Sequence, residues 1–229
     1  MVVVIAFIVC SSDAATQNVN SATMFGRCAN FTIQAGTALS FNGVGNQAVC
    51  GNVGVAPGVV IAGIPLLGAN YNKEANTQVA VDCAADELIA YGYLTALKCT
   101  ITLVNPDLSG MTLSPGIYCT SSGVFTLKTG TLTLDAQGDS TAQFLFLMAT
   151  TLITSAHTNI IPVNSAQPNN IFWQVGSSAT LGANSSFMGH ILAQASITVG
   201  ATVTITGRVY ARAAISFAGD DIIHLPGLC

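Results

Sequence analysis

The chain has 229 residues, which suits one domain of ordinary size, and its formal net charge is −4. Only 7% of the residues are charged and 51% are hydrophobic, so the surface must be covered mainly by neutral residues such as Thr, Ser, Asn, Ala and Gly. The six Lys and Arg residues are scattered singly, which excludes both a basic stripe for nucleic acid and a basic patch for an anionic membrane. We therefore expect neither nucleic acid nor a membrane as a partner.

The N-terminal segment is almost wholly apolar over residues 1–10, and small residues follow at 11–15. This pattern predicts a secretion signal over residues 1–15, followed by a single domain over residues 16–229. The alternative is a buried first strand. Seven cysteines are present, and without Cys10 an even six remain, which in an exported chain predicts disulfides. Their spacing leaves the pairing open.

A helix is predicted at about residues 72–97, where the β pattern is interrupted. Apolar residues recur there at helical spacing, and acidic residues fall on other sides of the helix. We expect this helix to lie along one face of the β structure and to shield apolar strand residues from water. The apolar residues of the pattern are Val81, Ala84, Ala85, Leu88, Ile89, Leu94 and Leu97, and the acidic ones are Asp82, Asp86 and Glu87.

The C-terminal half contains an internal repeat of 18 residues. Three segments align, and their central residues are Thr180, Thr198 and Ser216. Eighteen residues suffice for three short strands with tight corners, so each repeat predicts one turn of a triangular β-solenoid. Gly189 and Gly207 are also 18 residues apart and mark one corner, where a residue without Cβ is needed.

The repeat predicts a column of small outward side chains. Alternate residues of a strand point to opposite sides. Two earlier segments join the same column at intervals of 27 residues, and the extra nine residues of each turn fit a longer corner such as residues 135–139. Stacked turns lie about 4.7 to 4.9 Å apart, so the column would present groups at a spacing regular enough for a crystal lattice. An ordinary exposed face would collect Lys and Glu, whereas here only Lys128 lies at the edge. The predicted column is Thr126, Ile153, Thr180, Thr198 and Ser216.

Several stretches resemble a known family. They include residues 52–58, 61–65, 113–118 (LSPGIY), 130–139 and 172–182 (FWQVGSSATLG), with continuations at 187–189 and 205–208. Together, over roughly residues 31–216, the chain resembles the microbial ice-binding (antifreeze) proteins of polar algae, fungi and bacteria. The resemblance implies a mostly β fold, a triangular right-handed β-helix with one long α-helix packed alongside. It also implies that the N-terminal turn sits in the middle of the stack.

The resemblance further implies that the protein adsorbs to ice and ordered water through the flat face not covered by the helix. We expect it to be a secreted monomer. Ser40 and Ala62 from the N-terminal turns would extend the column on that face. The ice-binding set is completed by Ser178, Ser196 and Ala214, which open the three aligned segments. The resemblance also implies a disulfide between Cys99 and Cys119. We expect neither a cofactor nor a metal, because there is no CxxC motif and the three histidines are far apart in the sequence.

Two other classes of function compete with this interpretation. A solenoid enzyme would need paired acids, and the candidate pairs are Asp135 with Asp139 and Asp220 with Asp221, which fit solvated turns better than a cleft. Trp173 could offer a sugar platform, although its place in the resemblance favours packing. We therefore predict no catalytic residues. The second alternative is a secreted adhesin or cell-surface module that uses the same face against another ordered surface.

Overall fold

The computed structural model describes residue 19 and residues 21–43, 47–63, 66–68 and 70–227. The predicted secretion signal, residues 1–15, lies outside the described residues. Within the described part of the chain, no helix is both long and apolar enough to cross a membrane.

The described residues form mostly strands. The helices are α1 (Ser21–Met24) and α2 (Gln78–Ala96), with 3-10 turns at Gly26–Cys28 and Pro168–Asn170. The first twelve strands are β1 (Phe31–Ala35), β2 (Ala38–Phe41), β3 (Ala48–Cys50), β4 (Asn52–Val55), β5 (Val60–Ala62), β6 (Leu66–Leu67), β7 (Lys73–Ala75), β8 (Ile101–Leu103), β9 (Thr112–Leu113), β10 (Gly116–Thr120), β11 (Phe125–Leu127) and β12 (Thr131–Asp135). The remaining strands are β13 (Phe144–Met148), β14 (Leu152–Thr154), β15 (Asn159–Val163), β16 (Ile171–Val175), β17 (Ala179–Leu181), β18 (Ser186–Met188), β19 (His190–Ala193), β20 (Ile197–Val199), β21 (Thr204–Thr206), β22 (Val209–Ala211), β23 (Ala214–Phe217) and β24 (Ile222–His224).

These strands build three parallel sheets, as the repeat predicts. Sheet A has the order β7-β4-β1-β22-β19-β16-β13-β10-β8, sheet B the order β11-β14-β17-β20-β23-β2-β5, and sheet C the order β6-β3-β24-β21-β18-β15-β12-β9. Each full turn supplies one strand to each sheet, which confirms the predicted triangular solenoid. The N-terminal turn, β1 to β3, lies inside the stack because it pairs with β4 to β6 on one side and with β22 to β24 on the other.

The two predicted kinds of corner are both present. Gly189 and Gly207 have φ values of 106° and 154°, and a Cβ on Gly207 would lie 1.9 Å from the carbonyl oxygen of Gly189. Only glycine fits there, because this approach leaves no space for a side chain. The longer corner at residues 135–139 turns through Gln137 (φ 55°), whose N–H donates to Asp135 Oδ1 at 2.8 Å.

Helix α2 begins six residues later than predicted. Lys73–Ala75 forms β7 and pairs with β4, so these residues are strand rather than helix. The helix starts at Gln78 because Thr77 caps it, its Oγ1 accepting a hydrogen bond from the N–H of Ala80 at 3.4 Å. The cap at Thr77 thus marks the boundary between β7 and the helix.

The buried side of α2 is not the side that carries most of the apolar residues from which the helix is predicted. Val81, Leu88 and Ile89 are 40%, 46% and 69% exposed, whereas Glu87 is only 4% exposed. The helix contacts strands β1, β4, β7 and β16 of sheet A. Its buried residues are Ala80, Cys83, Glu87, Ala90, Tyr91 and Leu94.

Covalent and ionic contacts determine this orientation. Cys28 forms a disulfide with Cys83 on the inner side, and Arg27 pairs with Asp82 at 2.9 Å and with Asp86 at 2.6 Å. The small inner residues also let the helix approach the sheet closely. The hydrophobic pattern alone does not contain these constraints.

A second disulfide joins Cys99 to Cys119. It links the segment that follows α2 to β10 of sheet A. The pairing implied by the family resemblance is therefore confirmed.

The orientation of α2 predicts different effects for two identical substitutions. Ala90 is 1% exposed against the sheet, whereas Ala85 faces solvent. We expect Ala90→Leu to lower the free energy of unfolding by about 1 to 3 kcal/mol through overpacking, and Ala85→Leu to change it by less than about 0.5 kcal/mol. Urea unfolding followed by circular dichroism measures both, and equal effects would contradict the orientation described above.

The buried carboxyl of Glu87 predicts a pH-dependent stability. Burial raises its pKa from 4.5 to about 7, and the nearby charge of Arg212 offsets only part of this effect. The folded protein then holds this proton more tightly than the unfolded chain, so the contribution of Glu87 is most favourable below about pH 4.5 and is lost as the pH rises through about 7. The loss corresponds to about 3 kcal/mol.

We expect Glu87→Gln to abolish this loss when unfolding is compared at about pH 5 and about pH 8.5. Glu74→Gln is the matched control, because Glu74 is half-exposed and accepts a hydrogen bond from Thr77 Oγ1 that a glutamine could also accept. If the Glu87→Gln and Glu74→Gln variants lost the same stability between these pH values, the assignment to Glu87 would be wrong.

Candidate functional site

The outward column predicted from the repeat is present in sheet B. Strand register pairs Thr126 with Ile153, Ile153 with Thr180, Thr180 with Thr198, and Thr198 with Ser216. The column continues through Ser40 and Ala62, the two residues that only the family resemblance predicted. In stacking order it reads Thr126, Ile153, Thr180, Thr198, Ser216, Ser40 and Ala62.

The column is exposed along its middle. Thr180 and Thr198 are exposed, and Ile153 is 45% exposed. Their neighbours along each strand point inward and fill the solenoid core; Leu181 and Val199, for example, are buried. The inner packing therefore holds the outer side chains in place.

A second column runs beside the first. Ser178, Ser196 and Ala214 are partly exposed, and Ser178 Oγ accepts a hydrogen bond from the N–H of Ser196 at 3.3 Å. The hydroxyl groups of this column are thus partly tied to the backbone of the next turn. The structure places all ten predicted residues on one face.

Sequence reasoning missed the small residues on the other side of the column. The three aligned segments end on Gly182, Gly200 and Ala218, and a Cβ on Gly182 or on Gly200 would lie only 2.2 or 2.6 Å from the backbone of a neighbouring turn. The signal was present in the aligned repeats. Gly182 and Gly200 therefore let neighbouring turns approach closely at this edge.

Charged side chains lie beside the two ends of the column: Lys73 Nζ donates to the carbonyl of Gly63 at 3.2 Å, just after Ala62, and Lys128 lies beyond Thr126 at the other end. The strands of sheet B contain no charged residue, and Lys128 Nζ lies 3.9 Å from Asp107 Oδ2 just beyond β11. Burial acts to raise the pKa of Asp107, but hydrogen bonds from Ser109 and Lys128 outweigh this effect and lower it. The carboxylate of Asp107 is thereby stabilised in its ionised form, and the ion pair belongs to the rim of the face.

A neighbouring segment covers Thr126 at one end of the column. The segment through Pro106, Asp107 and Leu108 pairs with β11, since the N–H of Thr126 donates to the Pro106 carbonyl at 2.8 Å. The hydroxyl of Thr126 is buried and has no hydrogen-bond partner among the described residues. The accessible part of the column therefore begins at Ile153.

The acidic pairs weighed as catalytic candidates serve their own turns. Asp135 accepts hydrogen bonds from Asn164 and Gln137, and these lower its pKa; Asp139 accepts two from Thr141. Asp221 is fully buried, which raises its pKa to about 6, and it accepts the N–H groups of Val203 and Gly219. Its neighbour Asp220 is exposed at a corner. Neither pair flanks a cleft.

Trp173 belongs to the core. It is 1% exposed, its ring stacks on Phe146 with centroids 3.9 Å apart, and its indole N–H donates to the carbonyl of Met188 at 3.0 Å. A ring buried in this way cannot serve as a platform for a sugar. The packing interpretation of Trp173 is confirmed.

A β-solenoid with one side sealed by a helix and another left flat, regular and uncharged is the architecture of a surface-adsorbing protein. The model of the Ice-binding-like family matches residues 33–223, so the chain belongs to this family. An ice-binding protein of Nostoc sp. (strain HG1) is 36% identical over 195 residues, which cover 85% of this chain and 71% of that relative.

Solved structures agree with this assignment. The crystal structure of an ice binding protein from an Antarctic biological consortium superposes with a TM-score of 0.82 at 31% identity, covering 88% of this chain and 90% of the other. The structure of an ice-binding protein from the Antarctic ascomycete Antarctomyces psychrotrophicus gives a TM-score of 0.82 at 31% identity, covering 89% and 98%.

The burial of Trp173 can be checked by fluorescence, because it is the sole tryptophan of the chain. We expect emission at short wavelength, protection from acrylamide, and no change on adding soluble polysaccharides. Emission like that of free tryptophan, altered by a polysaccharide, would contradict the packing described here.

Proposed function

We propose that this protein binds ice through the exposed face of sheet B, and that it thereby inhibits ice growth and recrystallisation. One observation carries the proposal: in-register pairing of seven strands aligns short, uncharged side chains into a column. The membership of the chain in the Ice-binding-like family and the names of its relatives support the same function.

The chemistry of the face suits a partner that differs from liquid water only in order. A charged group would hold its own hydration shell, whereas methyl groups of Thr, Ala and Ile restrain nearby water and hydroxyls anchor it. Water ordered in this way can join the crystal as bridging water joins other interfaces. Each contact is weak, so the rigid stacking of the turns is needed to add contributions along the column.

Adsorption explains the expected effect on ice. Anchored molecules force ice to grow as curved fronts between them, and curvature lowers the local freezing point. The same pinning slows the transfer of water from small crystals to large ones. No chemical step is required, so we propose neither an enzymatic activity nor a cofactor.

We further propose that the protein is secreted and acts as a monomer. The two disulfides described above suit an oxidising compartment, which supports export. One molecule presents the whole column on a single face, so binding does not need a second copy.

Single-crystal ice growth tests the proposal with Thr180→Tyr and Thr198→Tyr, which place a large ring in the exposed middle of the column. Ile89→Tyr is the matched control, because Ile89 is 69% exposed on α2, which covers a different sheet. We expect wild type and Ile89→Tyr to shape the crystal and arrest its growth, and the two threonine variants to lose most of this activity while remaining folded. If ice grew as unshaped discs in the presence of the wild type, ice binding would be disproved, and the alternative of a secreted adhesin would be favoured.

A further inference from the structure

A cavity lies between helix α2 and sheet A. It encloses about 170 Å³ beside the ends of β1, β4 and β22, and its walls come from the helix, from these strands and from the corners that follow them. A cavity of about 150 Å³ can hold a benzene molecule, so this one has room for about six non-hydrogen atoms. Pro57 and Leu88 line the cavity and are exposed, so a small molecule can enter it from solvent.

Two buried side chains that line the cavity have an oxygen without a partner. Gln34 is 2% exposed and Glu87 is 4% exposed, and the Oε1 atom of each has no hydrogen-bond partner among the described residues. Gln34 Nε2 lies 3.4 Å from the carbonyl of Ala35 and 3.5 Å from that of Ala80, so a reversed amide would bring its oxygen against two carbonyl oxygens. Unsatisfied buried acceptors are costly, so an occupant of the cavity should donate hydrogen bonds.

The carboxylate of Glu87 also lacks a close counter-charge. Arg212 lines the same cavity, but its Nη1 donates to Gln194 Oε1 at 2.9 Å and its guanidinium lies 5.9 Å from the ring centroid of Tyr91. In the part of the chain that the structure describes, no ion pair joins Arg212 to Glu87. Burying a carboxylate without a close partner is unfavourable, so a cationic occupant suits the cavity better than water alone.

The other walls of the cavity are mainly small and apolar. They include Ala56 and Pro57 after β4, Ala84 and Leu88 on α2, and Ala211 at the end of β22. Walls of this kind suit a short aliphatic chain, whereas a metal ion such as Ca²⁺ needs six or more oxygen ligands. A primary ammonium group combines one positive charge with three N–H donors.

We propose that this cavity binds a small primary ammonium ion. Its N–H groups donate to Glu87 and Gln34, and its short aliphatic chain packs against the apolar walls. The proposal does not depend on ice binding, because no strand of sheet B lines the cavity.

Saturation-transfer NMR with n-propylammonium as the probe tests the proposal. The buffer contains no amine and is held at about pH 8.5, where the carboxyl of Glu87, with its pKa raised to about 7, is charged. We expect clear saturation transfer to n-propylammonium. Transfer should be about tenfold weaker or less for tetramethylammonium, which has the charge without N–H donors, and for n-propanol, which has the chain without the charge.

Two pairs of variants locate the binding site. Ala84→Leu fills the cavity, and Ala85→Leu is its matched control because Ala85 faces solvent. Glu87→Gln removes the charge, and Glu74→Gln is its control. We expect Ala84→Leu and Glu87→Gln to raise the Kd for n-propylammonium by about tenfold or more, and the controls to bind as the wild type does.

Stability gives a second readout. At ten times Kd, n-propylammonium should lower the unfolding equilibrium constant of the wild type about elevenfold, and it should have little effect on Glu87→Gln. Circular dichroism establishes that each variant is folded; if Ala84→Leu is not, the comparison of Glu87→Gln with Glu74→Gln decides.

Three results would overturn the proposal. The first is the absence of saturation transfer with the wild type. The second is equal transfer to n-propylammonium and tetramethylammonium, which would indicate unspecific contact. The third is binding to Glu87→Gln that matches the wild type, because the carboxylate would then take no part in the site.

Discussion

In-register hydrogen bonding between stacked parallel turns is the constraint on which the rest of the structure depends. Each interior strand satisfies its backbone groups through the turns above and below, so the turns cannot slip without breaking a whole ladder. A slip of one residue would also send core side chains such as Leu181 and Val199 to the outside. The register that protects the core is therefore the register that aligns the outer column.

The three sheets share this register but have different outer surfaces. Sheet A carries large apolar side chains and needs a cover, which α2 provides with the help of the Cys28–Cys83 disulfide. Sheets B and C carry short or partly exposed side chains and lie open to solvent. The cover explains how a chain with so few charged residues keeps its largest apolar surface out of water while leaving flat faces exposed.

The repeat and the chemistry of its outward positions could be predicted from the sequence, because each turn stacks on the turn that follows it. The neighbours of a turn could not be predicted where turns that are distant in the sequence stack on each other. The N-terminal turn inserts next to the last turn, so spacing along the chain does not reveal that Ser40 neighbours Ser216. The cover over Thr126 comes from residues 106–108, which lie outside the repeat, and no period could indicate it.

The helix illustrates a different limit. Its apolar residues occur on more than one side, so helical periodicity predicts a helix without deciding which side is buried. Val81 and Ile89 fit the pattern and face solvent, whereas Glu87 does not fit it and is buried. That choice depends on contacts from distant parts of the chain, among them Cys28 and Arg27.

Partition into slowly grown ice tests the central claim most directly, since it measures binding rather than its effect on crystal shape. The wild type should be enriched in the ice. A folded variant carrying both Thr180→Tyr and Thr198→Tyr should lose most of this enrichment, because two large rings would disrupt the exposed middle of the column. If the wild type and this variant entered the ice to the same extent, the column on sheet B would not be the ice-binding face.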